Sequence, residues 1–295
     1  LVNRAQRPGL RALMNVSGLK LGGVGAEQIG YGIAPRINAA GRLETAMIAY
    51  ELLATGDWTQ AELLASQLQG LNMQRQEMTR AAQELVRGQL TETTSLPLIF
   101  ASDRHFKPGI VGLVAGRLVE EFFRPAIVME EGDTESRASC RSIPQFDITG
   151  ALDQCAALLV RHGGHAQAAG FTVLNENVPT LREKLMSLAQ IALDGQDLAP
   201  TLDIDMELDA KLINLELAAE LLKLEPTGHG NPTPVFVTRN LRVQDYRTVG
   251  RDEGHLKLKL GRPGDAPIDA IGFNLGEWTR RMPPFVDLAY RLEIN

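Results

Sequence analysis

The amino-acid sequence predicts an α/β domain followed by a small β-barrel. A long helix connects the α/β domain to an N-terminal segment. Three observations support this fold class. Apolar residues keep a helical period over residues 57–90, strand and helix patterns alternate over residues 96–194, and short strands with turn signals fill the chain beyond residue 200. A chain of 295 residues is long enough for about two domains.

Composition and charge restrict the classes of protein to which the chain can belong. The net charge is −6 at pH 7, so attraction to nucleic acid would have to come from local basic patches. No stretch approaches the ~18 apolar residues of a membrane span, and the N-terminus lacks a signal pattern. Cys140 and Cys155 fit neither a disulfide framework nor a zinc site. We therefore expect a cytoplasmic protein that does not contact a membrane.

Residues 1–45 are rich in glycine, and we expect them to be irregular. Their stretch APRINAAGRL carries Arg36, Asn38 and Arg42 among small residues, which would let another backbone approach closely. Positive and amide groups in this arrangement could hold a phosphodiester.

The segment from Asp57 to Leu90 predicts one long helix. Asp57 is a suitable N-cap with Gln60 three residues further on, and leucine, methionine and alanine follow at helical spacing. A continuous helix of this length would extend over ~50 Å, which suits a connection between two domains.

Residues 96–194 predict the order βαββαβα, which is typical of a compact α/β domain. The third strand of this series carries Arg137, Ser139 and Arg141 at alternate positions, and alternate side chains of a strand share one face. A guanidinium pairs with two oxygens of a terminal phosphate while a serine hydroxyl donates to the third. A strand with solvated arginines fits the same pattern, so both interpretations stay open.

The stretch RHGGHAQAAGF, residues 161–171, follows a predicted helix from about Ile148 to Arg161. Gly163 fits the left-handed residue that ends a helix, but this role does not explain Gly164 and His165. A zinc ion would need further ligands at short spacing, which the sequence lacks. A turn whose bare backbone admits a phosphate, with His165 as hydrogen-bond donor, fits better.

Beyond residue 200 the stretch TLDIDMELD alternates carboxylates with apolar residues. Its carboxylates could bind Mg²⁺ or Mn²⁺, but the same alternation describes a half-buried strand with a solvated face. These carboxylates belong to Asp203, Asp205, Glu207 and Asp209. Residues 239–262 then hold seven basic side chains and three acidic ones, which makes them the main basic patch of the chain.

Five motifs together resemble the RecJ family of bacterial single-stranded-DNA-specific 5′-to-3′ exonucleases, within the DHH phosphoesterase superfamily. In order along the chain they are PRINAAGR, GIVGLVAGRLVEEFFRPAIVM, SRASCRSIPQFDI, RHGGHAQAAGFTV and LEPTGHGNPTPVF. The resemblance covers essentially the whole chain and implies a C-terminal fragment. Its expected parts are the tail of a DHH catalytic domain (1–45), a connecting helix (46–95), a DHH-associated domain (96–195) and a truncated OB-fold (196–295).

The resemblance also implies roles for single residues. Ser139 and Arg141 match the family positions that hold the 5′ phosphate, and His165 belongs to the Gly-Gly-His that faces the scissile phosphate. His165 and Arg42 are the candidates nearest to catalysis. The substrate-binding candidates are Ser139, Arg141, Gly163, Gly164, Asn38, Arg36, Arg137, Phe106 and Lys107. The OB-fold candidates for binding the strand are Arg239, Arg242, Arg247, Arg251, Lys257 and Lys259.

One departure from the family pattern concerns the loop before the helix GIVGLVAGRLVEEFF. Phe106 and Lys107 stand where the family usually has Trp-His. We expect Phe106 to keep an aromatic surface for stacking and Lys107 to keep a positive charge.

The resemblance further implies two Mn²⁺ or Mg²⁺ ions whose ligands lie upstream of Leu1, so we expect no metal ligand in this chain. The expected partner is single-stranded DNA with a 5′ end, bound by a monomer that acts in DNA repair and recombination. The fragment alone is expected to be inactive. Two alternatives stay open: a DHH-family oligonucleotide phosphodiesterase or phosphatase, and a non-catalytic relative that only binds single-stranded DNA.

Overall fold

The computed structural model of the chain describes residues 2–4, 6–90, 96–250, 252–262 and 267–294. The chain divides into two compact units, Leu1–Pro200 and Thr201–Asn295. Across the described ranges, none of the helices is both long enough and apolar enough to cross a bilayer.

The first unit begins with helices, so the expectation of an irregular segment over residues 1–45 was wrong. These helices are α1 (Pro8–Val16), a π-helical segment (Gln28–Ile33), α2 (Ala34–Leu43) and α3 (Met47–Ala54). The glycines that suggested irregularity include Gly18 and Gly22, which lie in the connection after α1 and have positive φ. The helices themselves bury aliphatic and small side chains in a common core.

The long helix α4 (Trp58–Gln89) confirms the predicted connecting helix. Its 32 residues correspond to a length of ~48 Å. The Asp57 carboxylate accepts a hydrogen bond from the backbone N–H of Gln60 at 2.9 Å, as an N-cap should. The first half of α4 packs on the N-terminal helices, and Ala82 and Val86 in its second half pack on the sheet domain.

The sheet domain contains one strand more than the sequence predicted, in the order βαββαββα. Its strands are β1 (Ile99–Asp103), β2 (Ala126–Glu130), β3 (Glu135–Arg141), β4 (Leu159–His165) and β5 (Ala168–Leu174). They lie in the order β1-β2-β3-β5-β4, with β1 parallel to β2 and the other pairs antiparallel. The helices are α5 (Pro108–Phe122), α6 (Ile148–Asp153) and α7 (Val178–Leu193).

The additional strand replaces most of the helix that we predicted from about Ile148 to Arg161. Asp147 does cap α6, by accepting from the N–H of Gly150 at 3.0 Å, but α6 ends at Asp153. A 3-10 turn at Ala156–Leu158 leads directly into β4. Gly163 therefore lies inside a strand and does not end a helix. The reason is that β4 pairs along its length with β5, where Gly163 is in register with Gly170.

The helices cover one face of this sheet more completely than the other. α5 packs on one face, where it covers the apolar side chains of β1 and β2 and reaches β3. α6 and α7 cover the other face, where Ala138, Phe171 and Val173 are buried in the main core. On the α5 side, the residues of β3, β5 and β4 therefore form an accessible surface.

The second unit is a curled half-barrel sheet, in agreement with the barrel-like domain that the sequence predicted. Its strands are β6 (Met206–Glu207), β7 (Phe236–Val249), β8 (His255–Gly261), β9 (Ile268–Gly272) and β10 (Phe285–Tyr290), and its helix is α8 (Leu215–Leu221). The order is β10-β7-β8-β9, and β6 pairs with β7. Only Met206–Glu207 of the stretch TLDIDMELD forms a strand, so that predicted strand is much shorter than expected.

Candidate nucleic-acid interface

The accessible surface of β3, β5 and β4 carries three rows of residues, which the strand register places side by side. The rows are Arg141–Ala168–His165, Ser139–Gly170–Gly163 and Arg137–Thr172–Arg161. Directly opposed residues of neighbouring strands point to the same face of a sheet. The polar and cationic groups therefore stand on the two outer strands of this surface, with small residues between them in two of the three rows.

Ser139 and Arg141 form a connected pair on β3. The Nη1 atom of Arg141 donates to Ser139 Oγ at 3.2 Å and to the carbonyl of Cys140 at 2.8 Å. Both side chains are partly buried. The structure thus confirms that they lie on one face, as the alternation predicted, and it holds the guanidinium in a defined orientation beside a hydroxyl.

Gly112 on α5 leaves room for this pair. A Cβ atom at position 112 would lie 3.0 Å from Ser139 Oγ and 3.2 Å from the Nη2 atom of Arg141. A methyl group there would push one or both side chains aside by a few tenths of an ångström, whereas Gly116, one turn later, has nothing within 4 Å of its Cβ position.

Gly163, Gly164 and His165 form the end of β4 opposite this pair. Gly164 has φ +150°, and a Cβ there would lie 2.4 Å from the carbonyl oxygen of Ala168, so only glycine fits. A Cβ at Gly163 would meet nothing within 4 Å. The His165 side chain is exposed, and its carbonyl accepts from the Thr149 hydroxyl at 2.8 Å. The strand end is thus fixed while the imidazole stays accessible.

The APRINAAGRL segment forms α2, and its three candidates separate on two faces of that helix. Arg42 is exposed and donates to the carbonyl of Gly109 on α5 at 3.1 Å. Asn38 lies four residues earlier, on the same exposed face. Arg36 instead donates from Nε to Gln69 of α4 at 2.7 Å, and burial lowers the pKa of its guanidinium. Arg36 is therefore engaged in helix packing.

The loop before α5 contains Phe106 and Lys107, the two residues that depart from the family pattern. Phe106 is only 3% exposed and belongs to the core between α4, α5 and the sheet, so its ring offers no stacking surface to a base. The prediction of stacking at Phe106 was wrong, because a ring beside the apolar face of α5 gains more from burial than from solvent contact. Lys107 is exposed and directly precedes α5.

Three residues near these candidates escaped the sequence analysis: Arg161, Thr172 and Arg75. Arg161 and Thr172 belong to the third row of the sheet surface. Had RHGGH been recognised as a strand, the period of two would have placed Arg161, Gly163 and His165 on one face. Arg75 on α4 has a lowered pKa, because burial disfavours its charge and because Arg42 and Arg117 are nearby cations.

No group of three or more His, Cys, Asp or Glu side chains in the described ranges could hold a metal ion. His162 is paired with Asp153 at 2.8 Å. Three of the four carboxylates of the 203–209 stretch have protein partners: Asp205 accepts from the N–H of Val235, Glu207 pairs with Arg239, and Asp209 pairs with Arg262. These residues do not fit a site for Mn²⁺ or Mg²⁺.

The basic patch of the second unit lies mainly on the outer face of β7 and β8, and its members differ in their partners. Arg239 pairs with Glu207 at 3.0 Å and with Asp287 at 3.1 Å, which raises its pKa and compensates its charge. The register sets Arg247 beside Lys257 and sets Lys259 between two aspartates, Asp245 and Asp269. Arg242 lies beside the half-exposed ring of Phe285. Arg251 lies outside the described residues.

Comparison with known proteins identifies two domains within the chain. The family model described as the DHHA1 domain matches residues 95–190, and the model described as the RecJ OB domain matches residues 204–295.

Curated relatives extend the similarity over nearly the whole chain. "Single-stranded-DNA-specific exonuclease RecJ" of Bacillus subtilis is 36% identical over 289 residues, which are 96% of this chain and 36% of that protein. The protein of the same name from Dickeya dadantii is 34% identical over 302 residues, which are 98% of this chain and 52% of that protein. The chain thus spans about half, or less, of the length of these relatives.

Solved structures agree with the sequence comparison. RecJ from Thermus thermophilus in complex with Mn²⁺ is similar to the whole chain, with a TM-score of 0.82, 30% identity and 42% of that protein covered. The complex of the Thermus protein with Mg²⁺ gives the same TM-score and identity, with 44% covered. The five motifs, the two domain matches and these relatives lead to one conclusion: the chain belongs to the RecJ family and contains its DHHA1 and OB domains.

Proposed function

We propose that this chain is the DNA-positioning part of a single-stranded-DNA-specific 5′-to-3′ exonuclease. The observation that carries the proposal is the hydrogen-bonded pair of Ser139 and Arg141, which shares a sheet surface with His165. Bacterial relatives named as single-stranded-DNA-specific exonucleases support it. The matching relatives extend well beyond the length of this chain, and the complete enzyme would include those further residues.

Two phosphates of one strand could be bound on this surface. The guanidinium of Arg141 pairs with two oxygens of a 5′ phosphate, and the Ser139 hydroxyl donates to the third. β4 lies two strands away from β3, or ~10 Å, and there the imidazole of His165 donates to the scissile phosphate. Arg42 adds positive charge near the N-terminus of α5.

The proposed cofactor is Mn²⁺ or Mg²⁺, in line with the two Thermus complexes, and its ligands lie outside this chain. Within this chain, side chains bind and orient the strand and neutralise its charge. We further propose that the protein works in the cytoplasm as a monomer, in DNA repair and recombination. The free, buried thiols of Cys140 and Cys155 suit a reducing compartment.

The second unit would bind the strand further from its 5′ end. Arg242, Arg247, Lys257 and Lys259 are the cationic side chains that we propose for this contact, with Phe285 as an adjacent aromatic surface. Arg239 contributes less, because two carboxylates already compensate its charge.

The 5′-phosphate site can be tested with Arg141→Ala. Binding of a 5′-phosphorylated oligonucleotide and of its 5′-hydroxyl counterpart would be measured by fluorescence anisotropy, with EDTA present to prevent cleavage. We expect the 5′-phosphorylated strand to bind about 10- to 100-fold more weakly, because charge-assisted hydrogen bonds contribute ~1.5–3 kcal/mol. The 5′-hydroxyl strand should bind as before. An equal loss for both strands contradicts a dedicated 5′-phosphate site.

Gly112→Ala tests the same site without removing any polar group. The new methyl group would shift Ser139 or Arg141 by a few tenths of an ångström, so we expect about fivefold weaker binding of the 5′-phosphorylated strand. Gly116→Ala is the matched control on α5, because its methyl group meets no atom. Gly116→Ala should stabilise the protein by up to ~1 kcal/mol in urea denaturation, because alanine favours a helix, and the tight contact at position 112 offsets part of this gain in Gly112→Ala. Unchanged binding in Gly112→Ala would mean that the pair does not hold the phosphate.

A further inference from the structure

The third row of the sheet surface, Arg137–Thr172–Arg161, has no role in the function proposed above. Arg161 donates from Nε to the Thr172 hydroxyl at 3.1 Å, across the β4–β5 pair. Thr172 is 4% exposed, while Arg137 and Arg161 are both exposed. The row thus presents two accessible guanidinium groups above a buried hydroxyl.

A shallow cavity of about 290 Å³ lies at this row, lined among others by Arg137, Arg161, Gly170 and Thr172. Gly170 has no side chain to fill it, and it belongs to the same row as Ser139. The cavity is therefore adjacent to the proposed 5′-phosphate site on the same face of the sheet.

The two arginines of this row lack the close ion pairs that several other arginines of the described residues form. Arg87, Arg239 and Arg262 each form an ion pair with a carboxylate at 2.7–3.2 Å. Neither Arg137 nor Arg161 forms such a pair with any carboxylate of the described residues, although the strand register sets Glu130 of β2 beside Arg137. Two like charges on the strands that flank β5 favour an anionic ligand between them.

The spacing of the rows indicates which anion fits. Residues two apart on a strand are separated by ~7 Å, so the Arg137 row lies about that far from Ser139. A ligand anchored by one phosphate at Ser139 and Arg141 can therefore place a second phosphate over the cavity. Each guanidinium group can donate two hydrogen bonds to the oxygens of one phosphate, and this row provides two guanidinium groups.

We infer that Arg161, with Arg137 and Thr172, forms a second phosphate-binding subsite for the ligand whose 5′ phosphate is held by Ser139 and Arg141. The inference rests on the proposed function. The second phosphate has two possible sources, a backbone phosphate further along the strand or an additional phosphate at a polyphosphorylated 5′ end. Both sources would present negatively charged phosphate oxygens to the two arginines of the row.

The subsite is tested with Arg161→Ala in the full chain and EDTA, by competition against a fluorescent strand. Three ligands are compared: a nucleoside 5′-monophosphate, which has a single phosphate, a longer 5′-monophosphorylated oligonucleotide and a nucleoside 5′-triphosphate. We expect unchanged binding of the first and about tenfold weaker binding of at least one of the others. A loss for the longer strand identifies a backbone phosphate, and a loss for the triphosphate identifies the 5′ end.

Salt dependence gives an independent readout. If a backbone phosphate is bound, Arg161→Ala should reduce the slope of log K against log salt by about 0.7 for the longer strand. Arg161→Lys keeps the charge and should keep most of that slope while losing part of the affinity. Arg182→Ala is the control, because Arg182 is exposed on α7 over Phe100, and α7 covers the opposite face of the sheet.

Wild-type affinity of Arg161→Ala for all three ligands, or an equal loss for all three, overturns the subsite. The proposed function fails separately, if Arg141→Ala shows no selective loss for the 5′ phosphate. In that case a selective effect of Arg161→Ala would still establish phosphate binding at the row.

Discussion

Replacing Gly164 by alanine is expected to lower the free energy of unfolding by at least ~3 kcal/mol, because the substitution is incompatible with both the backbone and its surroundings. Gly164 has φ +150°, which side chains other than that of glycine rarely allow. The new Cβ would also lie 2.4 Å from the Ala168 carbonyl oxygen and 2.5 Å from Ala169 Cα. Both atoms belong to β5, so relief of the contact would require the two strands to separate.

Gly163→Ala is the matched control, one residue away on the same strand. Its added Cβ meets no atom within 4 Å, and its φ lies outside the positive region. We expect its stability in urea denaturation to stay within ~1 kcal/mol of the wild type. Binding of a 5′-phosphorylated strand should nevertheless weaken, because the methyl group rises from the surface between Ser139 and the edge of the sheet. Equal stability losses in the two variants would contradict the strand geometry of β4.

His165→Ala, in the full-length enzyme, is expected to lower the rate of strand cleavage at least ~100-fold while metal binding stays unchanged. A hydrogen-bond donor placed at a reacting phosphate contributes about this much. The position of the strand end does not depend on the imidazole, because Thr149 holds the main-chain carbonyl of His165. Single-turnover cleavage and metal titration by calorimetry would provide the two measurements.

His162→Ala is the control for this substitution. His162 lies three residues earlier on β4, in register with Phe171, whose side chain belongs to the core on the other face, and its imidazole is paired with Asp153. We expect little change in cleavage, since it does not share the face of Ser139 and His165. Parallel losses of cleavage and of metal binding in His165→Ala would show that this residue acts on the metal site and not on the phosphate.

The parts of the fold that sequence reasoning predicted correctly depend on local signals. The cap at Asp57 and the apolar period identified α4, because both are properties of one helix. The pairing of Ser139 with Arg141 followed from the alternation of a single strand. Each of these needed only residues that are close in sequence.

The helix predicted from about Ile148 to Arg161 failed for the opposite reason. Its apolar residues do have helical spacing, but the same residues also fit a short helix followed by a strand. β5 decides between these arrangements, since its main chain pairs with that of residues 159–165. Such pairing exchanges hydrogen bonds between segments and leaves little trace in the local sequence of either one.

The sequence by itself determined the family, the long helix and the residue types available for phosphate binding, because motifs and periodicity are local. Tertiary structure alone decided which of them meet. It placed His165, Gly163 and Arg161 on β4, across β5 from Ser139, buried Phe106, and paired Arg239 with two carboxylates. The physical reason is that burial and charge compensation depend on neighbours that folding brings together. The carboxylates that compensate the charge of Arg239 belong to Glu207 and Asp287, which lie 32 and 48 positions away in the sequence.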